Sequence, residues 1–259
     1  MQHPSTDFTL SAPAAQGGLV LGTAPTGTCA LTLDGEVVRV ASDGRFVMGF
    51  GRDAGASATL VATLPGGREV TRMLAVASRQ WRIETFSSLP RFALPSAEFQ
   101  RLRPDELRRI AAARAIDSGS EGWRQQFVWP VTGRVSGVFG SQRVYANGEK
   151  GDYHSGVDIA RPEGTPVVAP ADGVVVLAAD RPFTLEGNLL IIDHGMGLNS
   201  AFLHLSQIDV KAGEHVARGQ PVGRIGMTGR ATGPHLHWAI KWRDRRLDPQ
   251  AVLTVTAGR

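Results

Sequence analysis

Tight-turn dipeptides set the scale on which this chain folds. Asp34-Gly35, Asp43-Gly44 and Gly66-Gly67 punctuate the region from Gly18 to about Thr85, and glycine takes the left-handed backbone that closes a two-residue hairpin. The runs between them are short and either alternate or stay apolar: Leu19–Gly22, Thr28–Leu33, Glu36–Val40, Arg45–Phe50, Ala58–Leu64, Glu69–Ala77 and Trp81–Glu84. Runs of this length suit strands rather than helices. Seven of them in roughly 70 residues predict a small β-sandwich of immunoglobulin-like type over 17–85. No catalytic constellation falls in that region.

The same grammar returns after Phe127. Val131–Phe139, Pro166–Ala169, Gly173–Ala179, Leu189–Asp193, Ser200–Leu205, Pro221–Ile225 and His235–Trp242 read as strands, with glycine at most of the turns between them. No strand–helix–strand rhythm appears, which excludes a doubly wound fold and predicts an antiparallel β domain over 126–259. Residues 86–125 read as a linker with one helix. Leu89-Pro90 to Pro95 is extended, and Pro104-Asp105-Glu106-Leu107 is expected to open the helix, since proline and acids suit a first turn. Leu107, Ile110, Ala111 and Ala115 share a face, and the helix should stop near Ser118-Gly119. Residues 1–16, polar and rich in Pro and Ala, predict a mobile N-terminal tail. The fold class is therefore mainly β.

Composition agrees. Thirty-one glycines and only 7% aromatic residues in a chain of 259 fit many short strands and turns, and 42% hydrophobic residues exclude the disordered class. The most apolar run, Pro166 to Ala179, is broken by Asp172 and Gly173 and falls short of the ~20 residues a bilayer needs. Met1–Thr6 has neither the basic nor the apolar part of a signal peptide. The single cysteine, Cys29, excludes an internal disulfide and a multi-cysteine metal site, and reads as a small buried residue. The net charge of +4 is concentrated between Arg79 and Arg114, where eight Arg face four acids, Glu84, Glu98, Asp105 and Glu106. Such a segment is suited to an anionic polymer, though a solvated helix face is the simpler reading. No nucleic-acid partner is expected.

Six of the seven histidines lie in the second region: His154, His194, His204, His215, His235 and His237. Two short spacings stand out, His154-x-x-x-Asp158 and His235-Leu236-His237. On a strand, positions two apart point the same way. His235, His237, Ala239 and Lys241 then share one face, while Leu236, Trp238, Ile240 and Trp242 form an apolar face that belongs in the core. Two His and one carboxylate with an open position make a catalytic zinc shell, and the Gly233-Pro234 turn fixes where the H-x-H strand starts. Spacing alone leaves open which member of H-x-H would ligate. His194 and His215 read as turn and surface histidines. No H-E-x-x-H helix is present, which excludes the thermolysin-like scheme.

These residues sit in a wider pattern. From Phe139 to Pro249 the chain resembles the lysostaphin-type (LytM-like) zinc peptidases, which cut peptides of bacterial cell-wall peptidoglycan. The matching pieces run in order. Tyr153-His154-Ser155-Gly156-Val157-Asp158-Ile159-Ala160 comes first, followed by Gly164-Thr165-Pro166-Val167 and Ala171-Asp172-Gly173-Val174-Val175. Then come Ile191-Ile192-Asp193-His194-Gly195, Phe202-Leu203-His204-Leu205-Ser206, Gly219-Gln220-Pro221-Val222-Gly223 and Thr228 through His237. The resemblance implies a twisted antiparallel sheet of the duplicated hybrid motif type with a metal on the floor of its groove. It implies one zinc per chain held by His154, Asp158 and His237, with His204 and His235 serving catalysis. Zinc held by two neutral imidazoles and one carboxylate keeps net positive charge to polarise water and a carbonyl, and histidines with an unperturbed pKa near 6.5 suit the proton transfers.

The expected function is a zinc-dependent endopeptidase acting on stem or cross-link peptides of peptidoglycan, exported to the periplasm or cell envelope, with any regulatory protein partner left open. Phe202 stands where the family usually has Tyr, and Tyr145 aligns with no functional tyrosine. One alternative is a non-catalytic wall-binding protein or amidase activator of the same fold. Such relatives have lost metal ligands, whereas His154, Asp158, His237, His204 and His235 are all present here. The other is a lipoyl- or biotinyl-type carrier, suggested by the turn rhythm of Val210–Gly223. Lys211 lacks the hairpin-tip setting that a carrier lysine needs.

Overall fold

A computed structural model describes residues 5–85, 96–145 and 148–257. The seventh histidine, His3, the extended stretch expected at 89–95 and Asn147 of the turn expected at Asn147-Gly148 lie outside the described residues.

The first half is a two-sheet antiparallel sandwich. Thr9–Leu10, Leu19–Thr23 and Arg45–Gly49 form one sheet in that order. The other runs Glu36–Val37, Ala30–Leu33, Ser57–Thr63, Glu69–Ala75. Alternation drives the packing: in Ser57–Thr63 Ala58, Leu60 and Ala62 are buried while the residues between them are not. They meet Leu19, Leu21, Val47 and Phe46 from the opposite sheet in one core. The segment expected as a mobile tail is instead packed from residue 5 onward. Phe8 is buried with its ring edge-on to Phe46 at 6.3 Å, and Thr9–Leu10 pairs with Leu19–Thr23. The apolar side chain of Phe8 outweighs the polar composition around it. Cys29, expected to be buried, is exposed on the lead-in to Ala30–Leu33. The run Trp81–Glu84 does not join the sandwich; Ile83–Thr85 pairs in parallel with Gln142–Val144 of the second half.

The second half is built on one large antiparallel sheet. Its order is His215–Val216, Gly173–Ala178, Asn188–Asp193, Leu198–Leu205, His235–Trp242, Val157–Ala160, Arg134–Gly137, with Arg245–Leu247 added beside His235–Trp242. A smaller sheet of Pro166–Val168, Pro221–Arg224 and Gln207–Ile208 closes one end. Leu236, Trp238, Ile240 and Trp242 are fully buried, as their period-two spacing predicts. The same core continues into the sandwich. A Cβ on Gly49 would sit 2.8 Å from Leu247 Cδ2, and the Asp248 N–H donates to Gly17 O at 2.8 Å. Arg52, buried in the sandwich, donates from Nε to Gly140 O at 2.9 Å and lies over the Tyr153 ring at 5.0 Å.

The linker helix differs from its expectation. α1 spans Ala97–Arg114, seven residues longer at its start than Pro104 predicts. Ser96 caps it, its Oγ accepting from the Phe99 N–H at 3.1 Å. Pro104 lies inside, where proline usually costs about 3 kcal/mol. Polar docking on either side of it holds the helix. Arg103 makes two hydrogen bonds to the Glu186 carboxylate, at 2.6 and 2.8 Å. Glu106 accepts from the Thr184 N–H and Oγ–H at 2.7 and 2.6 Å. The buried side is therefore Arg103, Glu106, Ile110 and Ala113, while Leu107 is 49% exposed. Ala113 and Ile110 rest on Leu189, Ile191 and Ala201, on the same face of the sheet as His237. A second helix, α2 (Pro249–Ala257), packs Val252 into the shared core and lies against Leu19–Thr23.

Candidate metal and catalytic site

Pairing register brings the site together. Asp158 lies opposite His237, and Ala160 opposite His235, across the Val157–Ala160 and His235–Trp242 pair. Side chains directly opposite on adjacent strands lie on one face, so Asp158 and His237 project together. His154 arrives from the loop before Val157–Ala160. That loop is tied at both sides: His154 N–H donates to Ser141 O at 2.8 Å, and Gly140 N–H to His154 O at 2.9 Å.

Three donor atoms converge. His154 Nε2 is 3.0 Å from Asp158 Oδ1 and 3.1 Å from His237 Nδ1, and His237 Nδ1 is 2.8 Å from the same carboxylate oxygen. His154 Nδ1 faces Val138 O at 3.1 Å. A carbonyl only accepts, so in the neutral ring the proton sits on Nδ1 and the Nε2 lone pair faces the cluster. A tetrahedral ion with bonds of about 2.0–2.1 Å sets its ligand atoms roughly 3.3–3.4 Å apart. The observed triangle needs only a few tenths of an ångström of opening, so these residues fit a zinc-sized cation. Burial raises the Asp158 pKa, but hydrogen bonds and charge from His154 and His237 outweigh it and hold the carboxyl well below the usual range. Burial pushes His237 down, and its neutral form is the one that ligates.

His235 and His204 stand beside this triangle. His235 Nε2 is 3.8 Å from Asp158 Oδ1, and its Nδ1 donates to Gly233 O at 2.8 Å. The His204 ring centroid is 4.9 Å from that of His235 and 6.3 Å from that of His237. Leu203 is the residue paired with His237, so strict alternation would turn His204 toward the core. Its backbone breaks the alternation instead: φ is +64°, in the left-handed region that non-glycine residues rarely adopt. Strain of this kind costs about 1–3 kcal/mol and clusters at functional sites. Two bonds hold the turn, His204 N–H to Glu186 O at 2.9 Å and Nδ1–H to Thr228 O at 2.8 Å. The second leaves the Nε2 lone pair free. Burial pushes the His204 pKa down to about 4, so the ring is neutral near pH 7.

The other candidates fall elsewhere. His194 is fully buried, with Nδ1 donating to Asp172 O at 2.8 Å and Nε2 accepting from Ser200 Oγ at 2.9 Å. Both ring nitrogens are taken by the fold. His215 is exposed on a short edge strand. Phe202 is fully buried opposite Trp238 in the core. Sequence reading missed the residues that α1 brings to this face, Arg103, Glu106 and Arg114. The i, i+3 spacing of Arg103 and Glu106 was the available signal, but their partners Glu186 and Thr184 are about 80 residues away.

Comparison with known proteins points the same way. Residues 152–249 match the model of Peptidase family M23. Peptidoglycan DD-endopeptidase ShyA of Vibrio cholerae is 44% identical over 112 residues, 43% of this chain and 26% of that protein. Peptidoglycan DD-endopeptidase ShyB of the same organism is 39% identical over 137 residues, 53% of this chain and 27% of that protein. The chain thus spans about a quarter of the length of these curated relatives. A solved Pseudomonas aeruginosa structure described under peptidase M23 superposes with a TM-score of 0.72 at 29% identity, covering 94% of this chain and 96% of that one.

Proposed function

With residues 152–249 forming a peptidase family M23 domain of LytM type, we propose that this protein is a zinc-dependent endopeptidase that hydrolyses peptide bonds in bacterial cell-wall peptidoglycan outside the cytoplasm. The observation that carries the reading is the convergence of His154 Nε2, Asp158 Oδ1 and His237 Nδ1 on one point, within 4.8 Å of one another. The DD-endopeptidase names of the relatives support the substrate class.

His154, Asp158 and His237 hold one zinc ion. Bound there, zinc supplies a Lewis acid for the scissile carbonyl and lowers the pKa of a water toward about 7. The remaining work falls to the histidines. His204, neutral and with Nε2 unprotonated, accepts a hydrogen bond from the attacking water and orients it. Its low proton affinity suits it to position and relay a proton rather than keep it. His235, 3.8 Å from Asp158, carries the proton to the departing amine nitrogen. Leu203, fixed opposite His237, presents an apolar wall that keeps the extended peptide against the sheet. A glycosidase would need two carboxylates flanking the bond, and Asp158 is committed to the histidines around it.

The test uses a soluble cross-linked muropeptide and the zinc content of purified protein. Wild type should carry one zinc and release new peptide amines. His237→Ala should lose both metal and activity, and His204→Ala should keep the metal while losing at least about 100-fold in rate. Release of zinc from His204→Ala as readily as from His237→Ala would overturn the division of roles.

A further inference from the structure

Beside the metal-donor triangle, α1 and the sheet enclose a cavity of about 550 Å³ that His237 also lines. Its wall carries five cationic side chains, Arg103, Arg114, Lys241, Arg243 and Arg246 among them, against two carboxylates, Glu186 and Asp244. Glu186 is taken by Arg103 through two hydrogen bonds. Arg114 has no such partner. Its Nε and Nη1 atoms are buried and donate no hydrogen bond to any described residue. Lys241 and Arg246 make no ion pair among the described residues; Arg246 only lies over the Tyr153 ring, at 5.7 Å. Burial, Arg114 and Arg246 together push the Lys241 pKa down to about 8, and burial and Arg246 push Arg114 to about 10.

Taking a guanidinium out of water without supplying an anion is unfavourable. The charge of Glu186 offsets this only in part, because that carboxylate is already bonded to Arg103 and Arg246 adds repulsion, whereas Glu106 on the same helix has its partner in Thr184. Three like charges also repel across the pocket. The missing element is an anion of the size a guanidinium fork grips, for which a carboxylate is the match. The floor is apolar, formed by Leu189, Ala201 and Ala239, and suits the aliphatic part of an amino acid. Lys241 lies four residues beyond His237 on the same face of the strand, about 13 Å along it. That is the reach of three to four residues of an extended peptide passing the metal site.

We propose that this pocket is a carboxylate-binding subsite, in which Arg114 and Lys241, with Arg246 at the rim, grip a free carboxylate of the wall peptide being cut. The assignment rests on the peptidase reading above and extends it to a preference among wall peptides. It also gives α1 a function: the helix brings Arg114 to the sheet, so the subsite exists only while α1 is docked.

Binding separates the two claims, because it is read without turnover. Calorimetry on the zinc-loaded chain would compare an uncross-linked muropeptide with the same muropeptide converted to its carboxamides. Wild type should bind the carboxylate form at least 10-fold more tightly. Arg114→Gln and Lys241→Gln should each bring the ratio below threefold by weakening the carboxylate form alone. Lys241→Gln, which lies on the sheet, carries the test if Arg114→Gln loosens α1. Equal affinities in wild type would overturn the proposal. So would a preference that persists undiminished in both variants, since the metal would then be taking the carboxylate. Hydrolysis of the cross-linked muropeptide by wild type is scored separately: its absence with the preference intact would refute the peptidase reading and uphold the anion subsite.

Discussion

Gly137 offers a perturbation that reaches the metal site through a single methyl group. It sits on the strand Arg134–Gly137, paired with Asp158. A Cβ there would lie 2.3 Å from Asp158 Oδ2, 2.9 Å from Asp158 Cγ and 3.1 Å from His154 Cε1. Real Cβ contacts essentially never fall below 3.0 Å, so Gly137→Ala must drive the carboxylate back by at least about 0.7 Å. Metal ligands tolerate roughly 0.2 Å, and supporting groups about 0.5 Å. The displacement exceeds both, and it strikes two of the three donors. Zinc affinity should fall about 10- to 100-fold, equivalent to about 1.4–2.7 kcal/mol. Competition against a chromophoric chelator measures this directly. Gly51→Ala is the control, since a Cβ there meets nothing within 4 Å and its backbone is unstrained. Thermal unfolding in excess chelator checks that the fold survives. A zinc affinity within twofold of wild type, with the fold intact, would refute the assignment of Asp158 and His154 as neighbouring ligands.

Two further perturbations probe how the site is held and how the fold responds to acid. Arg52→Met removes the buried bond to Gly140 O and the contact with Tyr153 that brace the loop carrying His154. Zinc affinity should drop by about 10-fold, although the residue lies in the sandwich, and an unchanged affinity would show that the loop holds itself. His194 titrates at about 4 in the fold because of burial, against 6.5 when unfolded. Between those values the unfolded chain binds the extra proton, so stability is full above pH 6.5 and falls as pH drops toward 4. The loss from this group is roughly 3 kcal/mol, and denaturant unfolding in chelator should show His194→Gln losing correspondingly less over that interval.

How much of this was legible beforehand varies with the physics behind each feature. The apolar face of His235–Trp242 was readable because strand alternation is a local rule. The ligand candidates stood out because histidine is scarce and His235-x-His237 follows a Gly233-Pro234 turn that fixes where its strand starts, whereas His154-x-x-x-Asp158 carries little weight without it. The position of His204 was not readable from alternation, which points it the wrong way; a left-handed turn of φ +64°, held by carbonyls of Glu186 and Thr228, reverses it. The start of α1 was missed because Pro104 resembles a first-turn proline, while the docking that tolerates it comes from Thr184 and Glu186. The tail at residues 5–16 was misread because one buried aromatic, Phe8, decides its fate. The unpartnered Arg114 was invisible, since an arginine at a helix C-terminus looks like an ordinary exposed charge.

The central claim is that the zinc–histidine site opens peptide bonds of the cell wall. Digestion of purified sacculi with zinc-loaded protein, followed by mass spectrometry of the released muropeptides, measures it in one step. The expected result is new peptide amines and carboxylates with the glycan strands intact, abolished by His237→Ala. Release of reducing sugar ends without new amines, or full activity in His237→Ala, would contradict it.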